Sequence, residues 1–419
     1  MKSRHISFDV GTNFDYELFD IIRENDKEHL IHNLYGKIKS DGLPGGRATS
    51  IIPDFSMNQL CDYVKECKKN KLTFNYLINP LCLGQKELDP DEGTKIRSFI
   101  HDAYDIGIRA FTVNSPSLIK YIKKQFSDVF ITLGLYAYPV NVQHIEYWRS
   151  WGVDEITLDH TFNRNFELLK KVMTLYKDSD LRLRVIANNL CIKDCPFRLA
   201  HGCFASHSVT EGISMDYMLI NCLYRKITTP KSILTSEWIR PEDIHLYEEL
   251  ASETGYTGFS VKLVDRTRPT SFIERVIKAY MSESYDGNLL DILNWPDSGN
   301  IVNIPRPNAD SNHSTMRYMD RLKPECMVTY GRAMHLPHIY IDNNKLNGFI
   351  DHFIKCNNCA DSLCADNILP EGEKSPISCN YCGLWAGKAI TYNHEEIEQW
   401  KNIASGVLNN LENGKIYKE

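Results

Sequence analysis

Nine of the 13 cysteines in this 419-residue chain fall into two sets whose spacing suits metal chemistry. The first set is Cys191, Cys195, Cys203 and Cys222, spaced C-x3-C-x7-C-x18-C. Thiolates converging from several directions can enclose a tetrahedral ion or a cubane iron–sulfur cluster. The spacing matches neither a zinc finger nor the bacterial ferredoxin run, and it lacks the C-x3-C-x2-C of radical enzymes that use S-adenosylmethionine. Four thiols in a polar, irregular loop read as ligands rather than as small buried apolar residues. A 4Fe–4S cluster is favoured over zinc there, with His201 and His207 as substitute ligands or hydrogen-bonding neighbours.

The second set is Cys356, Cys359, Cys364, Cys379 and Cys382, spaced C-x2-C-x4-C-x14-C-x2-C. Its two C-x2-C pairs stand 19 residues apart, in the zinc-ribbon range. Each pair makes a tight turn that presents two sulfurs to one ion. The fifth cysteine is surplus to a zinc site, so zinc and a second iron–sulfur cluster both stand open. Zinc would fold a region too small for its own core. A cluster would relay electrons to the first. Cys61 and Cys67 sit in a helical pattern and read as core.

Four other residues are candidates for catalysis. Asp159 and His160 lie together at a strand end, where adjacent residues point to opposite faces, so only one of them faces inward. Lys262 ends another strand. Arg47 closes the flexible loop Gly42-Leu-Pro-Gly-Gly-Arg47 and has the planar fork that clamps a carboxylate or phosphate. Metalloprotease H-E-x-x-H and serine nucleophile-elbow motifs are absent.

The elements that must position these groups alternate. Strand patterns run at His5–Asp9, His29–Leu34, Leu72–Asn79, Ile108–Asn114, Val129–Tyr138, Glu155–His160, Leu181–Asn188 and Thr257–Val264. Helical patterns run at Ser56–Asn70, Ser115–Phe126, Val142–Trp151, Asn165–Lys177, Arg240–Thr254 and Ser271–Ser284, with Ser56 a candidate N-cap. Eight strands in alternation with helices suit an α/β (β/α)8 TIM-like barrel, whose chemistry sits on the loops that follow the strands. No Gly-x-Gly-x-x-Gly follows the first strand, which argues against a doubly wound sheet. The expected organisation is a barrel over residues 1–290 and a small Cys-rich domain over 291–419. The long loop 190–239 carries the first cysteine set. A Pro-, Asn- and Gly-rich stretch, 294–308, reads as the linker between the two parts. A weak strand at His338–Ile341 and a closing helix at Glu395–Glu412 complete the second part.

Composition excludes several classes. The chain is 42% hydrophobic and 24% charged with a net charge of −6, which does not describe a disordered chain or a purely electrostatic nucleic-acid binder. No apolar run approaches the roughly 18 residues of a membrane span. The first ten residues run into a strand without a signal-peptide core, so a reducing, cytoplasmic setting is expected, where clustered thiols stay free for metals.

Several segments resemble the peptidase U32 family, also called collagenase-like peptidases. They are Leu43-Pro-Gly-Gly-Arg47 followed by Phe55-Ser-Met-Asn-Gln-Leu60, Gly107-Ile-Arg-Ala-Phe-Thr-Val-Asn-Ser115, Trp151-Gly-Val-Asp-Glu-Ile-Thr-Leu158, Cys203-Phe-Ala-Ser206 and Ile233–Ile244. Lys262 sits where the family has a strand-borne Lys-Ile-Glu-Gly-Arg. The resemblance spans about residues 1–285. It implies a barrel-like α/β fold with an iron–sulfur cluster on four cysteines. It also implies oxygen-independent hydroxylation of tRNA, ribosomal RNA or quinone precursors, while the peptidase label covers other members. Two features depart from the family. Cys191 and Cys195 both fall near its first ligand, and Val264-Asp265 replaces its Glu-Gly before Arg266, which removes the family's acidic residue.

The leading expectation is an iron–sulfur enzyme that performs an oxygen-independent hydroxylation or related redox change on an RNA, peptide or small aromatic substrate. An electron donor or a homologous partner protein would serve it. The alternatives are a peptide hydrolase with structural metal centres and a non-catalytic iron–sulfur partner protein.

Overall fold

The computed structural model describes residues 6–48, 51–208, 215–296, 321–356, 359 and 379–418. Eight parallel strands close into a barrel in chain order, with β8 returning to pair with β1. They are β1 (Ile6–Gly11), β2 (Ile31–Gly36), β3 (Thr73–Ile78), β4 (Ala110–Val113), β5 (Phe130–Leu133), β6 (Glu155–Thr157), β7 (Arg182–Ile186) and β8 (Phe259–Leu263). Helices cover them from outside, so most strand residues are buried whichever way they point, as in other all-parallel sheets. The outer helices are α1 (Glu17–Asn25), α2 (Met57–Lys69), α3 (Pro90–Asp105), α4 (Pro116–Gln125), α5 (Val142–Ser150) and α6 (Phe166–Tyr176). After the inserted helices described next, α10 (Ile244–Thr254) and α11 (Thr270–Ser282) complete the ring.

The barrel and the six expected helices match the sequence expectation, α1 and α3 come in addition to them, and three local details stand out. The Ser56 cap is a full capping box, because Gln59 returns a bond to the Ser56 backbone. Strand β5 ends at Leu133, short of the expected Tyr138, and the chain turns into a 3-10 segment at Leu135–Ala137. Strand β6 ends at Thr157. The Asp159 side chain then accepts from the Thr161 amide and starts a 3-10 turn at His160–Phe162. Asp159 and His160 are therefore turn residues, and the strand argument about opposite faces does not apply to them.

The expected irregular loop 190–239 is instead mostly helical. It holds α7 (Arg198–His207), α8 (Tyr217–Thr228) and α9 (Lys231–Thr235), so Cys203 and Cys222 ride on helices. Asp216 caps α8 by accepting from the Leu219 amide, and Ile220, Leu223 and Ile227 bury one face of that helix. Residues 209–214 between α7 and α8 lie outside the described residues, as do 297–308 of the expected linker and 309–320 after it.

The C-terminal part comprises α12 (Pro324–Ala333), β9 (Ile339–Ile341), α13 (Asp351–Lys355), α14 (Tyr381–Ala389), β10 (Ile390–Tyr392) and α15 (His394–Glu412). Strands β9 and β10 pair antiparallel. Helix α15 packs on α12 and on α8, the helix of Cys222. Phe349 stacks on Trp238 with ring centroids 5.6 Å apart, and the buried Arg164 guanidinium lies over both rings. Arg240 donates to the Asn343 carbonyl at 3.1 Å. Barrel and C-terminal part thus share one continuous apolar core. Among the described residues, no helix is long and apolar enough to cross a membrane.

Candidate active site at the barrel mouth

The centre of the barrel is polar and internally paired. Arg184 on β7 donates to Asp9 at 2.6 Å and to Thr157 at 2.7 Å, and it lies 3.1 Å from Glu155. Glu155 also accepts from Thr132 and Ser260, at 2.9 and 2.8 Å. Asn33 donates to Asp9 at 2.7 Å. These residues fill the interior with satisfied hydrogen bonds, so Asp9 and Asn33 hold the barrel and do not reach its mouth. Asn188 likewise ties the ends of β7 and β8 together, accepting from the Val264 amide at 2.7 Å.

Lys262 stands above this layer on β8. Its ammonium position lies 3.8 Å from the Tyr35 ring centroid. Burial, with the nearby Arg184 charge, holds its pKa well below the usual lysine range. A lysine shifted this way gives up its proton more readily than an exposed one.

The mouth itself is formed after β2 and β8. Arg47, in the loop after β2, is 3.0 Å from the Asp265 carboxylate. Its electrostatic neighbours are Tyr136, Cys191 and Tyr35. Asp265 brings a carboxylate to the mouth, so the acidic residue that the Glu-Gly replacement removes returns one position later. Gly11, at the end of β1, allows the close approach: a Cβ there would stand 2.8 Å from the Arg266 backbone nitrogen.

The first cysteine set lies beside this pair. Cys191 is an exposed residue; neighbouring protein atoms would raise its thiol, but a hydrogen bond to His160 and the charges of His160, Lys226 and His201 outweigh that and pull it to about 6. For His160, burial opposes protonation and the Cys191 thiolate favours it, with a net upward shift. The Asn189 amide nitrogen stands 2.7 Å from His160 Nε2 and 3.3 Å from Cys191 Sγ, bridging the two. Burial raises the Cys195 thiol, and the fields of Cys222 and Cys191 add to that. Cys191, Cys195 and Cys222 therefore share one neighbourhood with Lys226. Cys203 differs: its thiol is raised by burial and then by Cys82, a residue that the spacing argument passes over.

Asp159 is fully engaged. It binds Arg198 at 2.8 Å and caps its own turn, so it positions α7. Arg198 in turn lies over the Tyr138 ring at 4.3 Å. The sequence candidates thus separate into a central group (Arg47, Lys262, His160) and a positioning residue (Asp159).

In the second set, Cys356, Cys359, Cys379 and Cys382 are described and Cys364 is not. One member of it, Cys359, lies near the first set. Lys193, between Cys191 and Cys195, is opposed by burial and held charged by Glu237 at 2.8 Å, with the Cys359 thiol adding to the same effect. Among the described residues, no three His, Cys, Asp or Glu side chains close on a single ion.

Among known families, the model of peptidase family U32 matches residues 45–194, so over that stretch the chain is similar to this family. That region runs from the Gly45-Gly46-Arg47 loop through Cys191. An uncharacterized protease of Methanocaldococcus jannaschii is 26% identical over 348 residues, which cover 82% of this chain and 85% of that protein. A solved U32 peptidase structure aligns at 17% identity with a TM-score of 0.44, over 63% of this chain and 94% of its own. A chitinase of Aspergillus fumigatus, ChiC, aligns at 9% identity and a TM-score of 0.38, over 61% and 91%.

The sequence reading missed Asp265, Tyr35, Lys37, Lys226 and Cys82. Asp265 and Lys37 carried a signal, since each is a charged residue within two positions of the end of a buried strand. Tyr35, Lys226 and Cys82 had none, because only the folded chain brings them to the mouth.

Proposed function

We propose that this chain is an iron–sulfur enzyme of the U32 type that performs an oxygen-independent hydroxylation or related redox modification at the barrel mouth. The observation that carries this reading is the grouping of Cys191, Cys195 and Cys222 around Lys226, next to Arg47. A cubane is held at four separate corners and takes thiolates that stand farther apart than those around one ion, and four cysteines on this segment would supply that number. Cys203, on the neighbouring α7, would be the fourth ligand. A bound cluster there would supply one-electron transfer where substrate enters. Lys226 would offset the negative charge of the thiolates. Lys262 would take up a proton, and Arg47, fixed by Asp265, would orient substrate. The second set, Cys356, Cys359, Cys364, Cys379 and Cys382, would hold zinc or a second cluster. Its closeness to Lys193 suits an electron relay, with a donor protein as the external partner.

A second reading has one observation in its favour. The bridged Cys191 and His160 have the residue types of a thiol hydrolase, and the Methanocaldococcus relative is named a protease. Two assays on full-length protein separate the readings. Reduced, anaerobic protein should give a cluster signal in electron paramagnetic resonance that Cys195→Ala and Cys222→Ala remove. Hydrolysis of peptides that persists with iron chelated and disappears in Cys191→Ala would favour the hydrolase.

A further inference from the structure

Arg266 follows β8 and is only 3% exposed, yet neither Nη1 nor Nη2 has a hydrogen-bond partner. Buried charges are paired almost without exception, because an unpaired one loses its hydration and gains nothing. The nearby carboxylates are already committed. Asp265 binds Arg47 at 3.0 Å. Asp41 receives both the Lys37 ammonium and the Tyr76 hydroxyl. Arg266 therefore adds a positive charge that these pairs leave uncompensated.

The surroundings are shaped as a receptor. A Cβ on Gly45 would stand 3.0 Å from the Lys37 side chain and 3.9 Å from Arg266 Nη2. One on Gly46 would stand 3.1 Å from the Tyr136 ring and 3.2 Å from Asn79 Nδ2. The glycine pair thus passes between Arg266 on one side and Asn79 with Tyr136 on the other, leaving no space for side chains. Asn79 Oδ1 is also buried without a donor. Two orphan donors and an orphan acceptor, from the ends of β8 and β3, flank one turn.

We propose that Arg266 anchors a terminal oxyanion of the substrate, a carboxylate or a phosphate, beside the Gly45-Gly46 turn, while Asn79 accepts from a donor group on the same molecule. The two Nη atoms present the parallel donors that a planar or tetrahedral oxyanion takes up in a bidentate pair. The burial requires the anion to stand at the end of the ligand, which excludes an internal phosphodiester of a folded nucleic acid. This inference names the substrate chemistry of the proposed site, and it holds whether or not the thiols carry a cluster.

Titration of the full-length protein with inorganic phosphate and, separately, with acetate tests it, at ionic strength held constant with chloride. Thermal shift and calorimetry are the readouts. One of the two anions should bind saturably, and which one does identifies the chemistry. Arg266→Lys should weaken that binding by about tenfold or more, since it keeps the charge and loses the fork, and Arg266→Met should abolish it. Arg23→Met, at an exposed surface pair, should leave binding unchanged. Saturable binding by neither anion, or equal binding in wild type and Arg266→Lys, overturns the proposal. Should Arg266→Met fail to fold, Arg266→Lys decides alone. No turnover is needed, so a failure of the redox reading and a failure of this one remain distinguishable.

Discussion

Arg184 and Arg266 are both almost wholly buried in the same barrel, and their surroundings are opposite. Arg184 is ringed by Asp9, Glu155 and Thr157, all within 3.1 Å. Arg266 has two terminal nitrogens with nothing to bond. The first ties β7 to β1 and β6. The second lies above the layer where that network ends, among loops that follow the strands, where barrels of this kind keep their chemistry. A saturated charge marks structure, and an unsaturated one at the mouth marks a place reserved for a ligand.

The comparison can be broken by mutation. Arg184→Met should cost about 3–5 kcal/mol, because it strands Asp9 and Glu155 as buried charges without a partner. Chemical denaturation measures this, and a loss under about 1 kcal/mol would show that the network carries little of the fold. Asp265→Asn should cost less, about 1–3 kcal/mol at neutral pH. Burial would raise the Asp265 carboxyl, but Arg47, with Arg268 and Arg266, pulls it below the ordinary range. Its contribution is therefore full above about pH 4, the unfolded value, and is lost as pH falls through the folded one. The gap between wild type and Asp265→Asn should close on acidification below about pH 4, and a gap that widened there would contradict the pairing. Arg266→Met should leave anion-free protein within about 1 kcal/mol of wild type, or more stable, since it removes a buried charge that bonds to nothing. A loss comparable to that of Arg184→Met would erase the contrast.

The smallest effect concerns thiols. Burial pushes the Cys67 thiol up to about 12, whereas Cys61 on the same helix is partly exposed. Iodoacetamide at pH 8 should label Cys61 and spare Cys67 in folded protein. Labelling of both at equal rates would contradict the packing of α2.

The barrel was legible because its signals are local. Strand and helix periods alternate, and the Ser56 cap is written in four consecutive residues. Helix α3 was missed although Asp89-Pro90-Asp91-Glu92 is a strong start signal, with Asp89 accepting from two amides of the first turn. Helices α7 and α8 were hidden because cysteine spacing drew their segment toward a loop reading, and the Asp216 cap outweighed it. The family pattern led to the neighbourhood of Arg266, but its isolation was not legible. That isolation depends on Asp265 pairing with Arg47 across 218 positions and on Asp41 pairing with Lys37 and Tyr76. Cys82 joins Cys203 only because the loop after β3 meets α7, where the Ser206 hydroxyl accepts from the Leu81 amide at 2.9 Å.

Iron and acid-labile sulfide in anaerobically purified, full-length protein test the central claim most directly. The account predicts brown protein with at least about four irons and four sulfides per chain, and a loss of about four of each when Cys195 or Cys222 becomes alanine. Colourless protein with stoichiometric zinc at both cysteine sets would contradict it.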